Sequence, residues 1–251
     1  MRQIYTSADE AHFLIRSLSV DYVAGASEAE HSHPWPQLLY TQRGAVRAEL
    51  NGYAWIIPPR RALWIPAHEP HALFMSSELE LRTLYFRPGL LDHPTKHVAF
   101  NVTGLLHEAI VRVCDSGWLD DRQEVDRALS TIILKELNVA PPAGHSLVLP
   151  VDRKARQLAN VLLADVERKL SLEEACSMVG ISRRTAERKF RNQAGLSPAQ
   201  WVRRARLSDS LIQIAGGATI EQASITAGYQ SRSSFSEAFK KVFGFPPGET
   251  R

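Results

Sequence analysis

The chain has 251 residues, 44% hydrophobic and 23% charged, which suits a soluble two-domain protein and excludes a disordered one. No apolar run is long enough to span a bilayer and the opening MRQIYTSADEAHF lacks the apolar segment of a signal peptide, so a cytoplasmic protein with no membrane partner is expected. The net charge of +3 conceals an asymmetry: from Pro150 onward there are 17 Lys+Arg against 10 Asp+Glu, before it 13 against 17, and all nine histidines fall in the acidic part. That division suggests a polyanion partner for the C-terminal part and a ligand for the N-terminal part. The two cysteines, Cys114 and Cys176, fall far apart in expected helices, as buried thiols in a reducing compartment do.

Residues 1–90 read as β structure. HFLIRSLSV, QLLYTQ, AVRAEL, YAWIIP and ELELRTLYF are separated by turn signals, and Asn51-Gly52 predicts a hairpin between AVRAEL and YAWIIP. Short strands with close turns predict a small antiparallel β-barrel or sandwich. Within them His31 and His33, two apart, point to the same face of a strand, with Gln37 four residues on and His71 on a later strand. Imidazole suits divalent first-row transition metals, so His31, His33, Gln37 and His71 form a candidate metal site. The alternative is a polar interior in which these side chains hydrogen-bond an organic ligand or one another. Trp35, Trp55 and Trp64 offer flat apolar faces to the same pocket, or else serve as ordinary packing. Nothing else reads as a nucleophile or a general base pair, which argues against an enzyme.

From Asp92 to Leu137 the period becomes helical. Val98, Val102, Leu105, Leu106, Ala109, Ile110 and Val113 form one apolar stripe, and Val125, Leu129, Ile132, Ile133 and Leu137 another. Such stripes suit a helix pair that packs on the barrel or forms a homodimer interface. His93, His97 and His107 read as surface or interface residues. Pro141-Pro142-Ala143-Gly144 reads as a linker, so a helical dimerisation and linker region spans 91–144 and a C-terminal domain spans 145–251.

After a first helix, VDRKARQLANVLLADV, the stretch Ser171–Arg191 predicts two short helices around Gly180. Ser171 caps the first, Glu173 and Glu174 sit at the positive end of its dipole, Gly180 permits the positive φ of a chain reversal, and Ser182 caps the second. In that second helix Ala186 and Phe190 face inward while Arg183, Arg184, Glu187, Arg188 and Arg191 cover the outer faces. This is a helix-turn-helix whose basic helix suits a DNA major groove. A long helix then starts at Ser197-Pro198, and TIEQASITAGYQSRSSFSEAFKKVFG repeats the pattern. Aligning Gly228 with Gly180 matches Ser231 to Ser182 with one inserted residue and brings Phe239 close to Phe190. The duplication predicts two recognition helices held about one DNA turn apart by the long helix.

These residues resemble the AraC/XylS family of bacterial transcription regulators. The resemblance covers the whole C-terminal domain, through Ala175, Gly180, Ser182, Arg184, Ala186, Arg188 and Phe190, then Gly195, Ser197 and Pro198, and finally Ala223, Ala227-Gly228-Tyr229, Ser231, Ser233, Phe235, Phe239-Lys240-Lys241, Gly244 and Pro246-Pro247. Leucine is usual where Ala186 stands. The β part is similar to the two cupin motifs in Gly25, His31, His33, Gln37 and Gly44 followed by Pro66 and His71, with Gln37 in the place of the usual acidic ligand and His68 in that of a glycine.

The resemblance implies an α+β chain with an N-terminal cupin-like effector barrel, a helical dimerisation region and an all-α DNA-binding domain of two helix-turn-helix units. By it Arg184, Glu187 and Arg188 of the first recognition helix and Arg232, Ser233, Ser236 and Glu237 of the second read bases. Arginine can grip guanine O6 and N7, and glutamate can accept from cytosine N4; the alternative for each arginine is a phosphate contact. Glu237 makes the second helix the more acidic, so the first is expected to dominate base reading. The implied function is regulation of transcription at a duplex operator by a homodimer, controlled by a small molecule or metal in the barrel, with RNA polymerase a further partner if the protein activates. HSHPWPQLLY, PPRRALWIPAHEPH and QWVRRARL look like regulators of neighbouring efflux or transport genes. The alternative is a metal-dependent cupin enzyme with an accessory DNA-binding domain, against which Gln37 counts.

Overall fold

The computed structural model describes residues 11–75, 78–90, 97–140, 146–165 and 170–250. The chain divides into two compact units, Met1–Val46 with Ile57–Gly144, and Arg47–Ile56 with His145–Arg251.

Strands run in chain order as β1 (Phe13–Tyr22), β2 (Ser27–His31), β3 (Gln37–Arg43), β4 (Val46–Leu50), β5 (Tyr53–Ile57), β6 (Arg61–Ile65), β7 (His71–Phe74), β8 (Leu79–Phe86), β9 (Val98–Asn101), β10 (Trp118–Asp120) and β11 (Ser146–Val148). In the first unit six of them form an antiparallel sheet in the order β10-β1-β8-β3-β6-β9, and β2 pairs antiparallel with β7. The antiparallel β class is as expected, in open sheets rather than a closed barrel. Alternation along β3 and β8 sorts side chains to two faces. Leu38, Tyr40, Leu84 and Phe86 enter one apolar core with Trp64 of β6 and with Leu106, Ile110, Val113, Ile133 and Leu137 of two helices, α1 (Gly104–Ser116) and α2 (Glu124–Val139). Gln37, Thr83 and Tyr85, at the alternate positions, take the opposite face.

The helix expected from Asp92 starts later. Val98–Asn101 is strand β9, paired with β6 at Trp64↔Val98, and α1 begins after Thr103, whose hydroxyl accepts from Leu106 N at 3.1 Å. A short apolar run carries no periodicity that separates strand from helix, and the hydrogen-bonding edge of β6 decides in favour of the strand. Leu105, Val125 and Ile132, all on the expected stripes, remain exposed. His107 turns inward, its Nδ1 2.8 Å from Tyr40 Oη, and burial pushes its pKa down; His97 lies 3.8 Å from Glu69. His93, the linker Pro141–Gly144 and the boundary at residue 145 lie outside the described residues.

In the second unit β4 and β5 form the expected hairpin through Asn51 (φ 49°) and Gly52 (φ 78°), two left-handed positions that suit this dipeptide. β11 pairs with β5 at Leu147↔Ala54, and Arg47–Ile56 group with His145–Arg251 in this unit. Six helices follow: α3 (Arg153–Ala164), α4 (Leu172–Val179), α5 (Arg183–Ala194), α6 (Pro198–Ala215), α7 (Ile220–Ala227) and α8 (Arg232–Phe243). Each has a side-chain N-cap, from Asp152, Ser171, Ser182, Ser197, Thr219 and Ser231 in turn, and three are full capping boxes closed by Glu174, Gln200 and Gln222. The helix α6 packs against α3, α5 and α7, and the core around it holds Leu158, Ala175, Ala186, Phe190, Trp201 and Val202. Phe235, at the repeat position of Ala186, is fully buried as well. Among the described residues no helix is long and apolar enough to cross a membrane. Phe190→Ala in the full chain is expected to lower stability by about 3–5 kcal/mol in urea unfolding; a loss below about 1 kcal/mol would mean that this core is not packed as described.

Candidate functional site

Two sites emerge, one in each unit. In the second unit the capping box on α4 and the left-handed Gly180 (φ 64°) set the angle at which α5 leaves the turn. Ala186 and Phe190 are fully buried, so the helix cannot rotate, and Arg184, Arg188 and Arg191 are left exposed with no ion pair among the described residues. Arg183 is used differently. Its guanidinium bonds the Glu173 carboxylate of α4 and lies, through Nε, 3.1 Å from Glu187 Oε1. That contact joins the two helices and holds the Glu173 carboxyl below its usual range. The arginines grouped on one outer surface in the sequence therefore separate into a cross-brace, Arg183 on Glu173, and three presented cations. Lys189 is likewise engaged, on the carboxylate of Asp152, the residue that caps α3.

On α8, Arg232, Ser233 and Glu237 are exposed and Ser236 is half-buried. The preceding loop is anchored by Tyr229, whose hydroxyl accepts from Arg203 Nε at 3.0 Å and whose ring meets Phe235 edge-on at 5.6 Å. Lys240 and Lys241 stand in the last turn, where the helix dipole favours cations. Guanidinium groups presented from two capped helices offer the fork geometry that reads guanine edges or grips phosphates.

The first unit brings three histidines together. Their ligand atoms, on His31, His33 and His71, all lie within 4.8 Å of one another. In each ring Nδ1 faces a backbone carbonyl: Ala29 O at 2.9 Å, Trp35 O at 2.7 Å and Glu69 O at 2.9 Å. A carbonyl oxygen only accepts, so Nδ1 carries the proton in each ring, and in His31 and His71 Nε2 keeps its lone pair. His71 is completely buried, its Nε2 has no hydrogen-bond partner among the described residues, and burial together with the other two rings pushes its pKa down. His33 Nε2 lies 3.1 Å from Gln37 Oε1, while the Gln37 amide donates to Thr83 Oγ1 at 2.9 Å and to Tyr85 Oη at 3.4 Å. His68 has a φ of 63°, the conformation for which glycine is usual at this place, and its N–H donates to His33 O at 2.8 Å.

The three tryptophans have different fates. Trp35 stays beside the site, 6.4 Å from the His33 ring and 6.4 Å from Tyr85. Trp64 goes to the opposite sheet face, packed 5.1 Å from Phe86 in the apolar core, because it pairs with Leu38 rather than Gln37. Trp55 lies on β5 in the second unit. One residue escaped the sequence reading altogether: Glu28 of β2, whose Oε2 is 3.9 Å from His31 Nε2 and whose Oε1 accepts from the Tyr22 hydroxyl. Three residues before a strand histidine, it reads as facing away.

Residues 20–112 match the family model of an AraC-like ligand binding domain, and residues 175–251 that of a helix-turn-helix domain. Over 218 residues the chain is 25% identical to the HTH-type transcriptional regulator NimR of Escherichia coli, covering 87% of this chain and 80% of that one. Over 244 residues it is 24% identical to the HTH-type transcriptional activator RhaS of Mannheimia succiniciproducens, covering 88% of each. Among solved structures, unsaturated fatty acid bound ToxT from Vibrio cholerae aligns with 99% of this chain and 96% of that chain at 13% identity and a TM-score of 0.39.

Gln37→Leu leaves Thr83 and His33 without their buried partner and is expected to cost about 1–3 kcal/mol in urea unfolding; unchanged stability would show that this network contributes nothing.

Proposed function

The chain belongs to the AraC family of transcriptional regulators, and on that premise we propose that it is a DNA-binding homodimer whose grip on its operator is set by a divalent transition metal at His31, His33 and His71. The observation that carries this reading is the convergence of three imidazoles whose rings are each fixed by a carbonyl, with His71 Nε2 buried and without a hydrogen-bond partner among the described residues. Metal-binding histidines are held through their other ring nitrogen in this way, and a buried nitrogen lone pair with nothing to accept is costly unless something occupies it. His33 contacts an acceptor with both ring nitrogens, so a metal at its Nε2 takes the place of a proton. A second reading, a flat organic effector, is favoured by the aromatic wall of Trp35 and Tyr85 beside the same histidines.

At the operator Arg184 and Arg188 read base edges, Arg191 holds phosphate, and Arg183 braces α4 against α5 and keeps them in register. Arg232, Ser233, Ser236 and Glu237 make the second, weaker contact. The exposed Leu105, Val125, Ile132 and Val139 of α1 and α2 support a dimer through this region. Control is a population shift: the effector must bind the DNA-competent and incompetent arrangements with different affinity. The protein acts in the cytoplasm on an operator beside a transport or efflux gene, and meets RNA polymerase there if it activates.

Two experiments test this. Arg184→Ala and Arg188→Ala are each expected to cost about 1–3 kcal/mol of operator affinity and to relax preference at one base position, read by fluorescence anisotropy on a selected operator and its single-base variants; unchanged preference in both removes them from base readout. In the metal-free full chain, Zn2+ is expected to bind by isothermal titration calorimetry and to shift operator affinity, and His71→Ala to abolish both effects while metal-free DNA binding persists. A metal response that survives in that variant places the effector elsewhere.

A further inference from the structure

We propose that Glu28 is the carboxylate ligand of the histidine site, so that the metal is held by three imidazoles and one acidic oxygen supplied from an unexpected strand position. This rests on the metal reading above and goes beyond it in naming the fourth donor, and with it the class of ion.

Three neutral imidazoles leave a divalent ion with its whole charge in a half-buried pocket, a costly arrangement that a carboxylate relieves. Gln37 supplies no charge, and its amide nitrogen is held by Thr83 and Tyr85. Glu28 has the charge and stands beside His31. Its Oε2 lies 3.9 Å from His31 Nε2, and two ligand atoms on one tetrahedral Zn2+ sit about 3.3 Å apart. The ligand atoms of the three histidines lie within 4.8 Å of one another and Glu28 stands just outside that group, beside His31, so its side chain must turn inward on metal binding for Oε2 to complete the site.

Strand geometry explains why the two residues meet. Three apart on a regular strand, Glu28 and His31 would point to opposite faces. However, β2 pairs with β7 at Glu28↔Leu73 and His31↔His71, a step of three residues against two, so β2 carries an extra residue. A bulge of this kind returns the side chains to the same face, and bulges often lie next to functional sites for that reason. Glu28 and His31 thus both stand opposite the buried face of β7, on which Leu73 and His71 are inward.

The outer shell is complete for all four donors. Each histidine has its carbonyl, and Glu28 has the Tyr22 hydroxyl on Oε1, which leaves Oε2 available. Three nitrogens and one oxygen with no thiolate suit Zn2+, Co2+ or Fe2+ and not a soft monovalent ion.

The test uses the full chain freed of metal, with Zn2+ affinity from calorimetry and coordination from the visible spectrum of bound Co2+. Glu28→Gln keeps the shape and the Tyr22 contact while removing the charge; it is expected to weaken Zn2+ at least tenfold and to alter the Co2+ absorption bands. Tyr22→Phe, which removes a positioning contact, is expected to weaken Zn2+ by about 10-fold and leave the Co2+ bands in place. If the unmodified chain binds Zn2+ and Glu28→Gln binds it equally with the same Co2+ spectrum, Glu28 is only an ion-pair partner of His31 and the inference falls while the metal site stands. If the unmodified chain binds neither ion, the metal reading fails and the inference fails with it. Equal urea midpoints for the variants and the unmodified chain ensure that the comparison reports binding and not folding.

Discussion

The indole of Trp201 holds the second unit in one arrangement. Its N–H donates to Val148 O at 2.7 Å, and its ring meets Phe190 nearly edge-on at 5.8 Å, so one buried side chain of α6 ties strand β11 to the first recognition helix. A single hydrogen bond contributes only about 1 kcal/mol net, yet leaving the indole unpaired in this core costs more, which makes the contact directional. The small residues beside it, Ala186 and Ala205, let α5 and α6 approach. With Phe190 pinned against Trp201, Arg184 and Arg188 have only the outside to occupy. The orientation of the presented arginines is therefore a consequence of apolar packing, and the ion pairs of Arg183 refine a placement already made.

The first unit is governed by the opposite demand, the satisfaction of polar groups on one face of a sheet. Its helix-side face is apolar and closed by α1 and α2. Its other face carries Gln37, Thr83 and Tyr85, joined in a chain that ends where the Thr83 hydroxyl donates to Leu38 O. That chain fixes the Gln37 carbonyl toward His33, and carbonyls of Ala29, Trp35 and Glu69 fix the three rings. His71 Nε2 lies buried among them with no hydrogen-bond partner among the described residues.

Much of this architecture was readable in the chain because its signals are local. Ser171, Gly180 and Ser182, then Thr219, Gly228 and Ser231, mark caps and left-handed turns within a few residues of the helices they delimit. Asn51-Gly52 marks its hairpin in the same way. The charge division between the two parts of the chain and the spacing of His31, His33 and His71 were likewise plain, since composition and period two need no knowledge of neighbours.

What the tertiary structure alone decided concerns partners distant in sequence. Val98 became a strand residue because β6 had an edge to pair, and Trp64 left the pocket because it stands opposite Leu38. Arg183 turned from a presented cation into a brace because Glu173, ten residues earlier, lies within reach across the turn. Glu28 came beside His31 through an extra residue in β2 that only the register against β7 defines. Local sequence sets which conformations each segment favours; cross-strand register and packing set which side chains meet, because those contacts depend on residues the segment itself does not contain.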